Sequence, residues 1–147
     1  MNYDLEKRFG FLISDVGRLS GKRFDDLARA SLELTRAQCR VLAYLSHFGN
    51  VNQARLAEML EIAPISAGRL LDRMEEGGWV ERPANPDDRR ERRVTLTQKA
   101  EQALGAARRV GDEVAAEALE GFSAEEADQL IDMLRRVRGN LGKLVDR

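Results

Sequence analysis

Five arginines crowd one short stretch of this chain. Arg82, Arg89, Arg90, Arg92 and Arg93 fall within twelve residues, opposed there only by Asp87, Asp88 and Glu91. Five cations against three carboxylates leave that stretch at +2, whereas the 147-residue chain as a whole carries −1. A guanidinium is a planar fork of N–H donors that grips phosphate oxygens and guanine edges. A polyanion responds to the local surface rather than to the sum of charges, so the cluster points to a nucleic-acid partner despite the acidic total. A second group lies upstream, where Ser66, Arg69 and Arg73 are spaced three and four and so share one helix face. An arginine on such a face can hold guanine O6 and N7 in two hydrogen bonds, discriminating by about 1–3 kcal/mol. Two plainer readings stand beside these. Arg69, Asp72, Arg73 and Glu76 could form a solvated helix face laced by ion pairs. Asp87 and Asp88 could be merely solubilising, although Asp88, two residues before Arg90, is close enough to orient that guanidinium.

Catalysis finds little to work with. There is no nucleophile–base pair and no glycine-rich phosphate loop, and His47 is the one histidine. The chain is not expected to be an enzyme or to need a cofactor. One histidine and one distant cysteine make no metal site. Cys39 lies at the margin of an apolar helix face, which favours a buried, inert thiol. A lone cysteine cannot form an internal disulfide, so a reducing compartment is expected and the protein is placed in the cytoplasm, associated with the nucleoid. No apolar run approaches the roughly 18 residues of a membrane span. Met1 to Arg8 lack the apolar core of a signal peptide.

Glycine and proline mark out the elements that must carry these groups. Leu5, Phe9, Leu12, Val16 and Leu19 are spaced four, three, four and three, a seam of the coiled-coil kind, and Phe24, Leu27 and Ala28 continue it. One long helix over about 4–30 is predicted, weakened by Gly10, Gly17 and Gly21 at up to about 1 kcal/mol each. Thr35 and Gln38 form a capping box for a second helix, with Val41, Leu42, Leu45 and Phe48 on one face and Gly49 at its end. Asn52 caps a third, read as Gln53–Ile62, and Pro64 opens a fourth that runs to Glu76 and stops at Gly77-Gly78. The period then becomes two: strands are predicted over 79–82 and 92–96, joined by the turn-rich segment 84–88. Thr97 caps a fifth helix with Ala100, Leu104, Ala107, Val114 and Ala118 inward. Ser123 and Glu126 form a capping box for the last. In that helix Ala127, Leu130, Leu134, Val137, Leu141 and Leu144 repeat at three and four, a stripe of about 27 Å.

The expected fold is mainly α with a small β-wing: a winged helix-turn-helix flanked by dimerisation helices from both termini. One compact domain is expected, divided into 1–32 (N-terminal dimerisation helix), 33–98 (winged helix-turn-helix) and 99–147 (C-terminal dimerisation helices). In such a motif the second helix, here 64–76, enters the major groove. The arginine wing over 82–93 would reach into the minor groove, where negative potential is strongest. One reading helix grips few base pairs, so a homodimer on a palindrome is expected. Leu5, Phe9, Leu12, Leu130, Leu134, Val137, Leu141 and Leu144 would form its contact, unless the last seam packs internally on the fifth helix. The competing possibility is a helical protein-interaction module that does not bind DNA.

These residues also carry a resemblance. The run Asn85 to Thr97, with Asp88 and Arg90 as an Asp-x-Arg pair before Val94-Thr-Leu96, resembles the wing signature of the MarR family. Leu34–Leu42 is similar to the family's second helix, and Pro64–Glu75 with Gly78–Arg82 to its recognition helix and the start of the wing. The resemblance covers about residues 34–100 in detail and the rest in layout. It implies a triangular dimer on double-stranded DNA that usually represses genes until a small molecule or oxidant releases it. Carried over by position, Ser66 and Arg69 face the groove, Asp88 and Arg90 form the wing pair with Arg89 beside them, and Thr35 and Arg36 meet phosphate. Two departures stand out: Gly68 replaces a larger residue, and Cys39 stands where an aromatic is common. A small aromatic or apolar effector is implied, without residues to bind it.

Overall fold

Local capping sets most element boundaries. The computed structural model describes residues 4–49, 51–83 and 93–145; Asp88, Arg89 and Arg90 lie outside them. The predicted first helix begins differently from expectation. Asp4 accepts a hydrogen bond from the Glu6 amide at 3.1 Å and caps a 3-10 turn over Leu5–Lys7. Arg8 then leaves the helical region (φ −102°, ψ 116°), and α1 runs Phe9–Ala28. A short side-chain cap has nucleated its own turn, which separates Leu5 from the regular seam.

α2 (Arg36–Phe48) starts at the expected capping box: the Gln38 amide donates to Thr35 Oγ1 at 3.2 Å, and the Thr35 amide to Gln38 Oε1 at 2.9 Å. It ends at Gly49, whose φ of 75° suits a residue without Cβ. A strand that the sequence did not signal follows, β1 (Val51–Asn52), too short to show a period. Then come α3 (Gln53–Leu60), α4 (Pro64–Glu76), β2 (Val80–Glu81), β3 (Arg93–Leu96), α5 (Gln98–Ala118) and α6 (Ala124–Val145). The sheet is antiparallel in the order β1-β3-β2, with Val51 opposite Val94 and Val80 opposite Leu96. Those valines turn their side chains into the core.

The chain divides into two compact units, Met1–Asp112 and Glu113–Arg147. In the first, Leu42 and Leu45 of α2, Leu56 and Leu60 of α3, Leu71 and Met74 of α4, the strand valines, and Ala100, Leu104 and Ala107 of α5 form one buried cluster. On α5 burial ends at Val110; the expected inward residues Val114 and Ala118 are half-buried and exposed. In the second unit, the Ser123–Glu126 capping box is formed, at 2.9 Å and 3.1 Å. Over residues 124–144 of α6 no side chain is buried: Ala127, Leu130 and Val137 are half-buried, while Leu134, Leu141 and Leu144 are exposed.

Candidate nucleic-acid interface

Two helices and a short turn build the reading surface. The Arg55 amide donates to Asn52 Oδ1 at 2.8 Å, which caps α3 as the sequence predicts. α3 ends two residues earlier than expected because Glu61 takes the left-handed conformation (φ 56°, ψ 41°), its amide turning back to the Ala57 and Glu58 carbonyls. Only Glu61, Ile62 and Ala63 separate α3 from α4, and Pro64 occupies the first turn of α4.

α4 is two-sided. Ala67, Leu71 and Met74, spaced four and three, are buried. Ile65, Ser66, Arg69, Asp72, Arg73 and Glu76 are exposed. The structure therefore brings Ser66, Arg69 and Arg73 together on the outer face, as their spacing predicts. Among the described residues neither Arg69 nor Arg73 has an ion-pair or hydrogen-bond partner. The plainer reading, an α4 face laced by its own ion pairs, is not what forms.

The carboxylates of α4 go elsewhere. Arg82, just after β2, keeps only 8% of its side chain exposed and pairs with Asp72 at 2.5 Å and Glu75 at 3.1 Å. It also donates to Gln53 Oε1 of α3 at 3.5 Å. The Glu75 carboxyl is held below its ordinary range, first by the hydrogen bond from Arg82. Arg82 thus does not belong to the exposed arginine cluster in which the sequence places it. It pins the base of the wing to both helices of the motif, because two carboxylates one turn apart on α4 form a bidentate seat for a guanidinium. The residue that sequence reasoning passed over is Ile65, 67% exposed on the outer face of the first turn of α4; its one visible signal is an apolar residue out of phase with Ala67, Leu71 and Met74. Gly68 is half-buried on the flank toward α3, where an added Cβ would stand 3.4 Å from Gln53 Nε2.

The far side of the wing base is tied just as closely. Gly78 (φ 77°) turns the chain out of α4. The Thr97 hydroxyl donates to the Gly78 carbonyl at 2.6 Å and accepts from the Ala100 amide at 3.3 Å, so it both anchors β3 and caps α5. Lys99 Nζ donates to the Gly77 carbonyl at 2.7 Å and lies 4.1 Å over the Trp79 ring. Elsewhere in the first unit, Thr35 is exposed with its hydroxyl in the cap, and Arg36 faces Asp25 of α1 at 3.7 Å. Cys39 is buried, which pushes its thiol pKa up. His47 packs edge-on to Phe48 at the exposed end of α2. Among the described residues no group of three metal-binding side chains occurs, and no helix is long and apolar enough to cross a membrane.

Three helices, a turn of three residues and a β-hairpin pinned to the reading helix define a winged helix-turn-helix, a class that binds DNA. Known proteins agree. A sequence model described as the MarR family matches residues 34–91. The chain is similar to apo wild-type MarR from E. coli, with 26% identity, a TM-score of 0.78, and coverage of 92% of this chain and 98% of that one. A Cys-to-Ser variant of E. coli MarR complexed with operator DNA matches at 27% identity and TM-score 0.72, over 87% of this chain and 91% of that one. CouR, a transcriptional repressor bound to a 23-mer DNA duplex, matches at 25% identity and TM-score 0.77, over 94% and 99%. Residues 34–91 thus carry the sequence pattern of the MarR family, and over most of its length the chain has the fold of MarR family winged helix-turn-helix regulators. It is a DNA-binding transcriptional regulator and not an enzyme.

Proposed function

We propose that this regulator is a repressor that binds a palindromic operator as a homodimer, with α4 in the major groove and the wing in the minor groove. The observation that carries the reading is the division of charge on α4. Arg82 takes up Asp72 and Glu75, while Arg69 and Arg73 stand outward with no carboxylate partner among the described residues. Ser66, Arg69 and Arg73 then read base edges, and Ile65 offers an apolar contact of the kind a thymine methyl accepts. Asp88 orients Arg90 at the wing tip, with Arg89 on phosphate. The N-terminus of α2 meets another phosphate through the free Arg36 backbone N–H, beside the exposed Thr35 hydroxyl; the Thr35 amide is already held by Gln38.

Dimerisation is supported by apolar residues left exposed at both ends of the chain. Leu5, Phe9 and Leu12, which precede or line α1, are exposed, and on α6 Leu134, Leu141 and Leu144 are exposed beside the half-buried Leu130 and Val137. Stripes of that length are seldom left in water on a monomer. Release of the repressor by a small aromatic or apolar effector rests on the family resemblance, and a place in the cytoplasm with the nucleoid on the lone cysteine and the DNA partner.

Selection of bound sites from a randomised duplex pool tests the whole reading; the expected product is a palindrome. On that palindrome, Arg69→Ala is expected to relax preference at one base position of each half-site. Arg90→Ala is expected to weaken binding to all sequences and lower the salt slope by about 0.9 per lost phosphate contact. Unchanged binding in both variants would remove the reading residues and with them this mechanism. Candidate phenolic acids that leave operator affinity unchanged would remove the effector.

A further inference from the structure

α1 presents its exposed seam on one face and meets α2 with the other. Gly21, Asp25 and Ala28, spaced four and three, form the stripe on that second face, and Ala28 is the one buried residue of the helix. Arg36, the first residue of α2, lays its guanidinium on this stripe. Its Nη1 lies 3.7 Å from Asp25 Oδ2 and occupies the space that a Cβ at position 21 would need. Glycine within a helix is less favourable than alanine, so the bare backbone at Gly21 gives up helix propensity and leaves a seat. Gly17, one turn earlier on the same side, has nothing within 4 Å of its missing Cβ. The two glycines are alike in sequence and different in surroundings.

The seat lies where packing between the two helices is thin. Beside it α1 and the start of α2 part around a cavity of about 620 Å³, lined by Asp25, Arg29, Leu32, Leu34, Arg36 and Arg40 among others. A polar clip at such a place constrains an angle that close packing leaves open.

We infer that Arg36 is a positioning residue whose side chain, seated on Gly21 and facing Asp25, sets the angle of the DNA-binding head on α1. In a dimer joined through its terminal helices, that angle sets the distance between the two reading helices and therefore the half-site spacing the protein accepts. The inference rests on the dimeric reading above. It assigns the Arg36 guanidinium to α1 and leaves only the residue's backbone N–H for phosphate.

The palindrome that wild-type protein selects is rebuilt with one base pair added or removed between its half-sites. One added pair moves the half-sites apart by about 3.4 Å along the axis. Gly21→Ala expels the guanidinium while keeping every charge and raising helix propensity, Asp25→Asn removes the partner, and Gly17→Ala is the matched control. Gly21→Ala and Asp25→Asn are each expected to bind the original duplex about fivefold more weakly, the low end of coupling between sites. Both should also lose most of the wild-type preference for its spacing, with dimer dissociation constant and salt slope unchanged. Gly17→Ala should match wild type in operator affinity and spacing preference. Spacing preference intact in both variants overturns the inference. So does an Arg36→Ala protein whose salt slope falls by about 0.9 while its spacing preference stays, since Arg36 is then a phosphate contact. A wild-type protein that selects no palindrome overturns the dimeric reading and this inference with it.

Discussion

The head of this protein and its terminal helices draw on the same apolar residues and treat them in opposite ways. Leu42, Leu56, Leu71 and Met74 of the head are fully enclosed by residues of the first unit. Leu12, Val16 and Leu19 of α1 and Leu134, Leu141 and Leu144 of α6 remain exposed, although their spacing is the more regular. Periodicity alone therefore names the face that wants covering, and only the packing tells whether the chain covers it. The head covers its apolar residues within one chain, and the two terminal helices leave much of theirs exposed.

The strongest test of this contrast is a pair of substitutions. Leu42→Ala should cost about 2–5 kcal/mol in urea unfolding, as expected of an enclosed leucine. Leu12→Asp should instead make the melting temperature independent of protein concentration, because it acts on association. If Leu12→Asp leaves the concentration dependence in place, the ends are not the contact surface.

A smaller effect belongs to the pin between wing and reading helix. Arg82→Ala should cost about 1–2 kcal/mol, below the value for a buried pair because Asp72 and Glu75 are largely exposed. It should weaken operator binding more than this stability loss explains, since the wing base is freed.

Acid should act on the same pin. The Glu75 pKa is lowered in the folded protein, chiefly by the hydrogen bond from Arg82. A carboxylate of this kind contributes stability above its unfolded pKa and loses that contribution as pH falls through its folded value. Urea midpoints of wild type and Glu75→Gln, followed from about pH 7 down to about pH 3 across the carboxylate range, should converge at the acid end. Parallel curves would mean that Glu75 adds nothing. The smallest effect is expected at Cys39. Its thiol is buried and its pKa raised, so a thiolate-directed alkylating reagent should leave operator affinity unchanged.

Much of this was legible in the sequence, for reasons that differ by element. The capping boxes at Thr35 and Ser123, the Asn52 cap, Pro64 and the glycines at 49, 78 and 121 place helix ends by local chemistry, and there the expected and observed boundaries agree closely. The outward face of Ser66, Arg69 and Arg73 follows from helical spacing in the same way. What escaped depends on partners distant in sequence. β1 exists because Val51 finds Val94, and Arg82 leaves the exposed cluster because Asp72 and Glu75 lie across a turn from it. No window of neighbouring residues holds either fact. The 3-10 turn at Leu5–Lys7 departs from the expected helix for the opposite reason: one local hydrogen bond, donated by the Glu6 amide to Asp4, outweighs a long periodic signal.

The grip of Arg82 on Asp72 and Glu75 also limits how this regulator can change its target. A substitution at either carboxylate alters the surface of α4 and the seat of the hairpin together, so both parts of the proposed DNA contact would shift at once. Ile65, Ser66, Arg69 and Arg73 carry no such double duty. Retuning toward new sequences, by evolution or in the laboratory, has its open road through those four positions.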